Sequence, residues 1–408
     1  MRFLFVHQNF PAQFKHLAPF LSRLGHEVHA LTMRKFEQSE WQGIKLYTYS
    51  LTRGNSENCH PWTKEFESKV LRGEAALVAC LKLQRAGLDP DIIIAHPGWG
   101  ESLFLRQVWG QAKIKLYYEW FYHAQGYDVG FDREFSKGTP QNHARVELKN
   151  SNTLLSSEHA YSGLSPTKWQ MSTFPNHIRS KITVIHDGID TRAITQNQQA
   201  TLTLEKGLNL KAGQEIVTFV SRTLEPYRGF HILMRSLQAI LSERPNAYVL
   251  IVGGEKGGYG SEPPEGKSWK AIFENDIVSK LTKDQKSRIC FLGHIPYETF
   301  LNVLQVSSVH VYLTYPFVLG WSLLEAMSAG CRIIASNTPP VAELISHNET
   351  GFLVDFFDAH ALAELCIKLL KDKNFGGEQA ANARDHIIRN YDLTTICLPR
   401  QAEWALAH

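Results

Sequence analysis

No stretch of this 408-residue sequence is apolar for the length of a membrane span. The opening Met1-Arg-Phe-Leu-Phe-Val-His7 is apolar over too few positions for a signal-peptide core. The chain is therefore expected to be cytoplasmic, and at most peripheral at the inner face of a membrane. Cysteine is scarce. Its six residues form no Cys-x-x-Cys pair, which argues against a zinc site and a disulfide framework and suits a reducing compartment. Charge of either sign is nearly balanced, at a formal net +3, and no Lys/Arg run is interleaved with aromatics, so a nucleic-acid partner is not expected. The small positive excess falls in residues 1–190 and fits an anionic partner or membrane surface, or an ordinary solvated face. No acid-rich Asp-x-Asp pair follows a strand end, so no metal site is predicted. Low-complexity segments and short-period repeats are also missing.

What is present is an ordinary globular composition, 43% hydrophobic and 20% charged, in a chain too long for one core. Short apolar runs alternate with longer helical patterns throughout, as parallel strands joined by crossover helices do. In the first half, strands are predicted at 2–6, 27–31, 91–95, 114–119, 153–156, 163–165 and 182–185. A helix over 12–24 carries Phe14, Leu17, Ala18, Leu21 and Leu24 on one face and stops at Gly25. Residues 191–214 lack periodicity and read as a linker. The second half repeats the theme, with strands at 216–221, 248–252, 289–292, 309–313 and 332–335 and helices at 230–242, 297–306, 322–329 and 359–371. The prediction is an α/β chain of two Rossmann-like domains, 1–190 and 215–390, facing across a cleft, with a C-terminal helix over 391–408 packing back towards the first. In doubly wound sheets ligands bind beyond the carboxyl ends of strands, which is where chemistry should be sought.

The clearest such place is Phe317-Val-Leu-Gly-Trp-Ser-Leu-Leu-Glu325, a turn containing Gly320 that leads from strand to helix. Backbone N–H groups of Trp321 and Ser322 would open that helix and favour a phosphate or a polar sugar edge. Glu325, one turn in, could accept from a vicinal diol such as a ribose, or could simply favour the helix dipole. This stretch, followed by Cys331-Arg-Ile-Ile-Ala335, resembles the donor-binding signature of family-4 glycosyltransferases. In that family two glutamates eight positions apart flank the turn, the first on the transferred sugar and the second on the nucleotide ribose. Glu325 matches the second, whereas Phe317 stands at the first. The order of further segments is consistent with the resemblance. Phe219-Val-Ser-Arg-Thr-Leu-Glu-Pro-Tyr-Arg-Gly229 is similar to the family's diphosphate-binding segment, which implies that Arg222 and Arg228 are the two cations. Arginine adds bidentate donors suited to phosphate. Ile251-Val-Gly-Gly254 and Phe291-Leu-Gly-His294 match the next two strand ends, implying Gly254, Gly293 and His294 on the donor. Val184-Ile-His-Asp-Gly-Ile-Asp190 and Asn348-Glu-Thr-Gly-Phe-Leu-Val354 also fit.

The first half matches more weakly. Its first loop, His7-Gln-Asn-Phe-Pro-Ala-Gln13, lacks the glycines that relatives carry, so Gln13 is expected to act through its side-chain amide. His96-Pro-Gly-Trp-Gly-Glu101 follows a buried-looking strand, and its His96 and Trp99 are read as acceptor-side residues, or as parts of a structural turn. Glu119 and His123, in Tyr117-Tyr-Glu-Trp-Phe-Tyr-His-Ala-Gln-Gly-Tyr-Asp128, are the candidates for orienting the acceptor or assisting proton removal; a packed histidine is the alternative. Residues 128–150 read as an acceptor-side loop. The resemblance implies GT-B architecture and a retaining hexosyl transfer from a UDP- or GDP-type sugar to a hydroxyl of a glycan, lipid-linked or small-molecule acceptor. It implies no obligatory metal and no cofactor beyond the nucleotide-sugar co-substrate. The rivals are a nucleotide-sugar epimerase and a catalytically silent donor-binding subunit.

Overall fold

The computed structural model of the chain describes residues 1–136, 138–204 and 207–407. Thus Lys137 of the predicted loop, Glu205 and Lys206 of the predicted linker, and His408 of the predicted tail lie outside the described residues. The chain forms two compact units, Met1–Gly126 with Gly138–Gly188 and Leu393–His408, and Tyr127–Lys137 with Ile189–Asp392.

The first unit is built on an eight-stranded sheet of β1 (Arg2–Val6), β2 (Glu27–Thr32), β3 (Glu40–Trp41), β4 (Ile44–Thr48), β5 (Ile92–Ala95), β6 (Lys113–Tyr117), β7 (Ser162–Ser165) and β8 (Ile182–Val184). Their order is β3-β4-β2-β1-β5-β6-β7-β8, parallel except for the short edge strand β3. The central strands are apolar on both faces because helices cover both, which is why they read as continuous runs in the sequence.

The helix Leu398–Leu406 completes one of these cores through Leu398, Ala402, Trp404 and Ala405. A buried cation fastens it. Lys115, fully buried on β6, donates from Nζ to the carbonyls of Trp404 at 2.5 Å and Ala407 at 2.8 Å, with the Trp404 ring 5.4 Å away. Helix ends leave such carbonyls without partners, and a cation there also meets the negative pole. Lys115→Met, which keeps the apolar stem, is expected to cost about 2–3 kcal/mol. The resulting fall in melting temperature is roughly 5–10 °C by calorimetry; an unchanged midpoint would remove Lys115 as the clasp.

The second unit begins with a hairpin, β9 (Thr201–Thr203) and β10 (Asn209–Lys211), and continues with β11 (Ile216–Thr223), β12 (Tyr248–Gly254), β13 (Ile289–Gly293), β14 (Val309–Tyr312), β15 (Ile333–Ser336) and β16 (Phe352–Val354). The last six make an all-parallel sheet in the order β13-β12-β11-β14-β15-β16. Strand order reverses between the adjacent strands β11 and β14, the place where such sheets open a crevice.

Four expectations need correction. Residues 153–156 are helical, within Ser151–Glu158. The buried side of that helix is small and polar, with Ser156 bonded to Ser102 and Ser157 accepting from Tyr118, while Leu154 and Leu155 are exposed. Hydrophobicity therefore pointed the wrong way. The helix predicted over 12–24 is a short turn at Ala12–Phe14 and a helix Leu17–Arg23, because Pro19 has no N–H to bond four residues back and is tolerated only in a first turn. The linker contains the hairpin, whose Leu202 and Leu210 are buried in a core of the second unit.

Last, residues 128–150 are not one loop. Pro140–Leu148 is a helix capped by Thr139, whereas Tyr127–Lys137 belongs to the second unit. There Asp132 accepts a hydrogen bond from the Tyr315 hydroxyl and lies 3.1 Å from Nε2 of His231, and Glu134 forks onto Arg235. Phe131 packs between Tyr315, Phe356 and Phe357, and Phe135 against His231 and Trp269.

Candidate functional site

In the second unit the predicted residues lie at and beyond the carboxyl ends of β11 to β14. β11 hands over to a short helical turn, Pro226–Arg228, closed by Gly229 at φ +69°. A Cβ on Gly229 would stand 2.3 Å from Cβ of Leu313, so glycine alone lets the end of β11 lie against the residue after β14. That close approach places Arg228. Its Nη1 donates to Oγ1 of Thr314 at 2.8 Å and to the carbonyl of Val318 at 3.1 Å, both in the turn that leads to Glu325. Two segments some ninety residues apart are thereby tied at the strand-order reversal.

The helix Trp321–Ser328 starts from Gly320 in an extended conformation, and no side chain of Gly320 can cap it. The N–H of Gly320 is held by the Tyr312 hydroxyl at 2.8 Å. Its first turn carries no acidic residue, so the positive pole of the helix and the Arg228 guanidinium share one neighbourhood. Glu325 is 8% exposed and accepts a 2.7 Å hydrogen bond from the hydroxyl of Tyr297, at the start of the helix Tyr297–Val306. Burial and the Glu325 charge together push the Tyr297 phenol pKa up. At the neighbouring strand ends, Gly293 has φ +64°, and a Cβ on Gly254 would stand 2.1 Å from Nε2 of His294. The ends of β12 and β13 therefore close on each other.

Arg222 is exposed and donates to the hydroxyl of Tyr259 at 3.4 Å. The Tyr259 ring lies 6.0 Å from the Arg222 guanidinium and 5.5 Å from that of Arg228. Tyr259 is held in turn by Glu225, a 2% exposed carboxylate that accepts from the N–H groups of Tyr259 and Gly260 at 2.9–3.0 Å. Burial raises the Glu225 pKa. Phe317 is buried edge-on to Tyr227, with ring centroids 5.1 Å apart, and lies 5.2 Å from Tyr259 and 5.7 Å from the Arg228 guanidinium. The position read as lacking a carboxylate is thus part of an aromatic wall. Sequence reasoning missed Tyr259, Glu225, Tyr297 and Thr314. The one local signal was a tyrosine among glycines, Gly257-Gly-Tyr-Gly260.

In the first unit, loops after β1, β5 and β6 bring three predicted residues together. His96, 5% exposed, sets Nε2 3.4 Å from Oε2 of Glu119 and accepts from the N–H of Gly98 on Nδ1. Gln13 donates from Nε2 to the other Glu119 oxygen at 3.4 Å, and Gln170 donates to the Glu119 carbonyl at 2.8 Å. Rings surround His96: His7 at 5.6 Å, and Trp99 and Tyr117 at 5.8 Å. Burial, and then the neighbouring His96, lower the His7 pKa to about 3, so His7 is neutral. His123 is not gathered with this group. Its Nε2 lies 2.6 Å from the carbonyl of Thr173 and its ring against Phe121, the packed alternative for a histidine in an aromatic run.

Comparison with known proteins matches a separate family model on each half of the chain. Residues 24–194 match the family model described as glycosyl transferase family 4 group, and residues 202–389 match that of glycosyl transferases group 1. Among curated proteins, the D-inositol 3-phosphate glycosyltransferase of Corynebacterium glutamicum is 26% identical over 209 residues, 50% of this chain and 47% of that one. The phosphatidyl-myo-inositol mannosyltransferase of Mycolicibacterium smegmatis is 26% identical over 184 residues, 44% and 42% of the two chains. The match thus spans less than half the length of each of these relatives. Among solved structures, sucrose-phosphate synthase from Thermosynechococcus elongatus superposes with a TM-score of 0.72 at 18% identity over 99% of this chain and 98% of that one. Anabaena HepE, solved with UDP and glucose, does so with 0.66 at 16% identity over 99% of both. At these identities the structural likeness is one of fold. The chain thus matches a glycosyltransferase family model on each half, that of the family 4 group on the first and that of group 1 on the second, and shares the GT-B fold along its length.

Proposed function

We propose that the protein transfers a hexosyl group from a UDP- or GDP-type sugar to an acceptor hydroxyl, with retention of configuration and without an obligatory metal. One observation carries the donor half of this reading: Arg228 is bonded into the very turn that opens the Glu325 helix. On this reading Arg228 and Arg222 neutralise the diphosphate, the N–H groups of Trp321 and Ser322 take its remaining oxygens, and Glu325 accepts from the ribose diol. Two cations and a helix start supply the stabilisation of the leaving diphosphate that a metal supplies elsewhere. His294, with Gly254 and Gly293, borders the nucleotide base. The UDP bound to Anabaena HepE, which shares the fold, is consistent with such a donor.

The acceptor reading rests on the first unit. Glu119, steadied by Gln13 and facing His96, is the group that orients an acceptor hydroxyl, and Trp99 offers a ring to a sugar face. His123 is retained here only as a packing residue of that region. Among the described residues no helix is long and apolar enough to cross a membrane.

Calorimetric titration with UDP and GDP, followed by nucleotide release from sugar donors with candidate acceptors, tests the proposal. Binding of one nucleoside diphosphate, lost in Arg228→Ala, together with acceptor-dependent release is the expected result. One observation favours a second reading, the silent donor-binding subunit: Phe317 stands where the family pattern has a sugar-reading carboxylate. Donor binding with no release under any acceptor would establish it.

A further inference from the structure

We infer that Tyr259 is a donor-site residue that holds the place of the diphosphate on Arg222 and Arg228 and is displaced when the nucleotide sugar binds. The inference rests on the donor reading above. The two cations differ in how they are held. Arg228 is anchored from behind by Thr314 and the Val318 carbonyl, while the Arg222 guanidinium reaches the Tyr259 hydroxyl. Tyr259 covers both, its ring 6.0 Å from one guanidinium and 5.5 Å from the other, and it is itself 48% exposed. A half-exposed aromatic ring over two adjacent cations, giving its hydroxyl oxygen to one of them, presents them with a weak substitute for an anion.

The segment that carries Tyr259 is rich in glycine and is fastened through its backbone to one carboxylate. Gly257 sits at φ +79°, open to glycine at no cost, and a Cβ on Gly258 would stand 2.3 Å from Oε2 of Glu225. Two glycines before Tyr259 and one after it give the backbone its freedom, and two hydrogen bonds to the buried Glu225 carboxylate fix where the segment rests. Behind the ring stand Phe317, at 5.2 Å, and Tyr227, at 6.2 Å. A diphosphate offers the same two guanidinium groups full negative charge and bidentate geometry, so it outcompetes the ring. The aromatic face is then released beside the incoming sugar.

Inorganic pyrophosphate, titrated calorimetrically into the full chain, isolates this competition from nucleoside and sugar contacts. Removing the competitor in Tyr259→Ala should tighten pyrophosphate binding about tenfold, as two cation–ring contacts and one hydrogen bond no longer oppose it. Tyr259→Phe, which loses only the hydroxyl, should gain about two- to threefold. Loss of a merely structural residue would not tighten binding, so the sign of the change is diagnostic. Unchanged or weaker binding in Tyr259→Ala, with wild-type binding intact and lost in Arg228→Ala, overturns the inference and leaves the donor reading standing. Absence of pyrophosphate and nucleoside-diphosphate binding in the wild type, or binding indifferent to Arg228→Ala, overturns both.

Discussion

Glu325→Ala should lower kcat/KM for the nucleotide sugar by roughly 30- to 100-fold while the protein stays folded. A hydrogen bond to a charged group is worth about 1.5–3 kcal/mol, and a carboxylate holding two vicinal hydroxyls makes two. Part is offset by water re-entering the gap, and a net loss of about 2–2.7 kcal/mol corresponds to that range. The loss should fall mainly on KM, because a ribose contact is the same in ground and transition states. Tyr297→Phe is the control. It removes the hydroxyl that Glu325 accepts from at 2.7 Å but leaves the carboxylate, so it should cost less than Glu325→Ala. The helix should survive either change, since Leu323, Leu324, Ala326 and Met327 bury it independently of Glu325. Activity assays with donor varied at saturating acceptor would check this. Wild-type kinetics in Glu325→Ala would detach the turn from the donor.

The sequence shows most of the central strands because they are buried on both faces. Ile92–Ala95 is four apolar residues in a row, all fully covered, as is Phe3–Val6 of β1. Strand β4 was missed for the opposite reason: Ile44-Lys-Leu-Tyr-Thr48 alternates between covered and exposed at the sheet's margin. The seryl-rich helix Ser151–Glu158 was misread because hydroxyl pairs, not apolar contacts, hold its buried side. Local reading fails most where chain continuity and spatial neighbourhood part. Nothing within Tyr127–Lys137 announces that its aspartate and phenylalanines belong with residues a hundred or more positions later.

The candidate site follows the same rule. Arg222, Arg228, Gly320 and Glu325 were legible as candidates because Arg222 lies in the last residues of a strand and the others in the turn or helix that follows one, and strand ends are set by local pattern. Tyr259 was not, since it is placed by a carboxylate 34 residues earlier in the chain. His123 is placed differently from Glu119. It lies four residues beyond Glu119, and its ring nitrogen rests against the Thr173 carbonyl. His96, 23 residues before Glu119, is the histidine that faces it.

Acidification should destabilise the first unit more than the second. His7, His186 and His310 are buried, and desolvation lowers their pKa values from 6.5 to about 3, about 4 and about 3 respectively. All three are neutral in the native state at pH 7. Above pH 6.5 the unfolded chain is neutral at these positions too, and they contribute nothing to the pH dependence. Below it the unfolded state takes up protons that the native state refuses, so stability falls by about 1.4 kcal/mol per pH unit for each histidine until the native pKa is reached. Between pH 6.5 and 5 this amounts to about 2 kcal/mol per group. His7 and His186 lie in the first unit and His310 in the second, so the losses are about 4 and 2 kcal/mol. Other groups do not erase the difference. Burial lowers His26 and His29 in the first unit and His231 and His386 in the second, adding two groups to each, and raises Glu101 and Glu225, one in each unit, whose protonation works the other way. Carboxylates with lowered pKa, Asp132 and Glu65 among them, matter only below their ordinary range near pH 4. Calorimetry at pH 7 and pH 5 should therefore resolve two transitions that separate on acidification, the one assigned to the first unit falling further. His310→Asn should flatten the response of the other. Equal shifts of the two transitions, or none, would mean that these histidines are already solvated in the native protein.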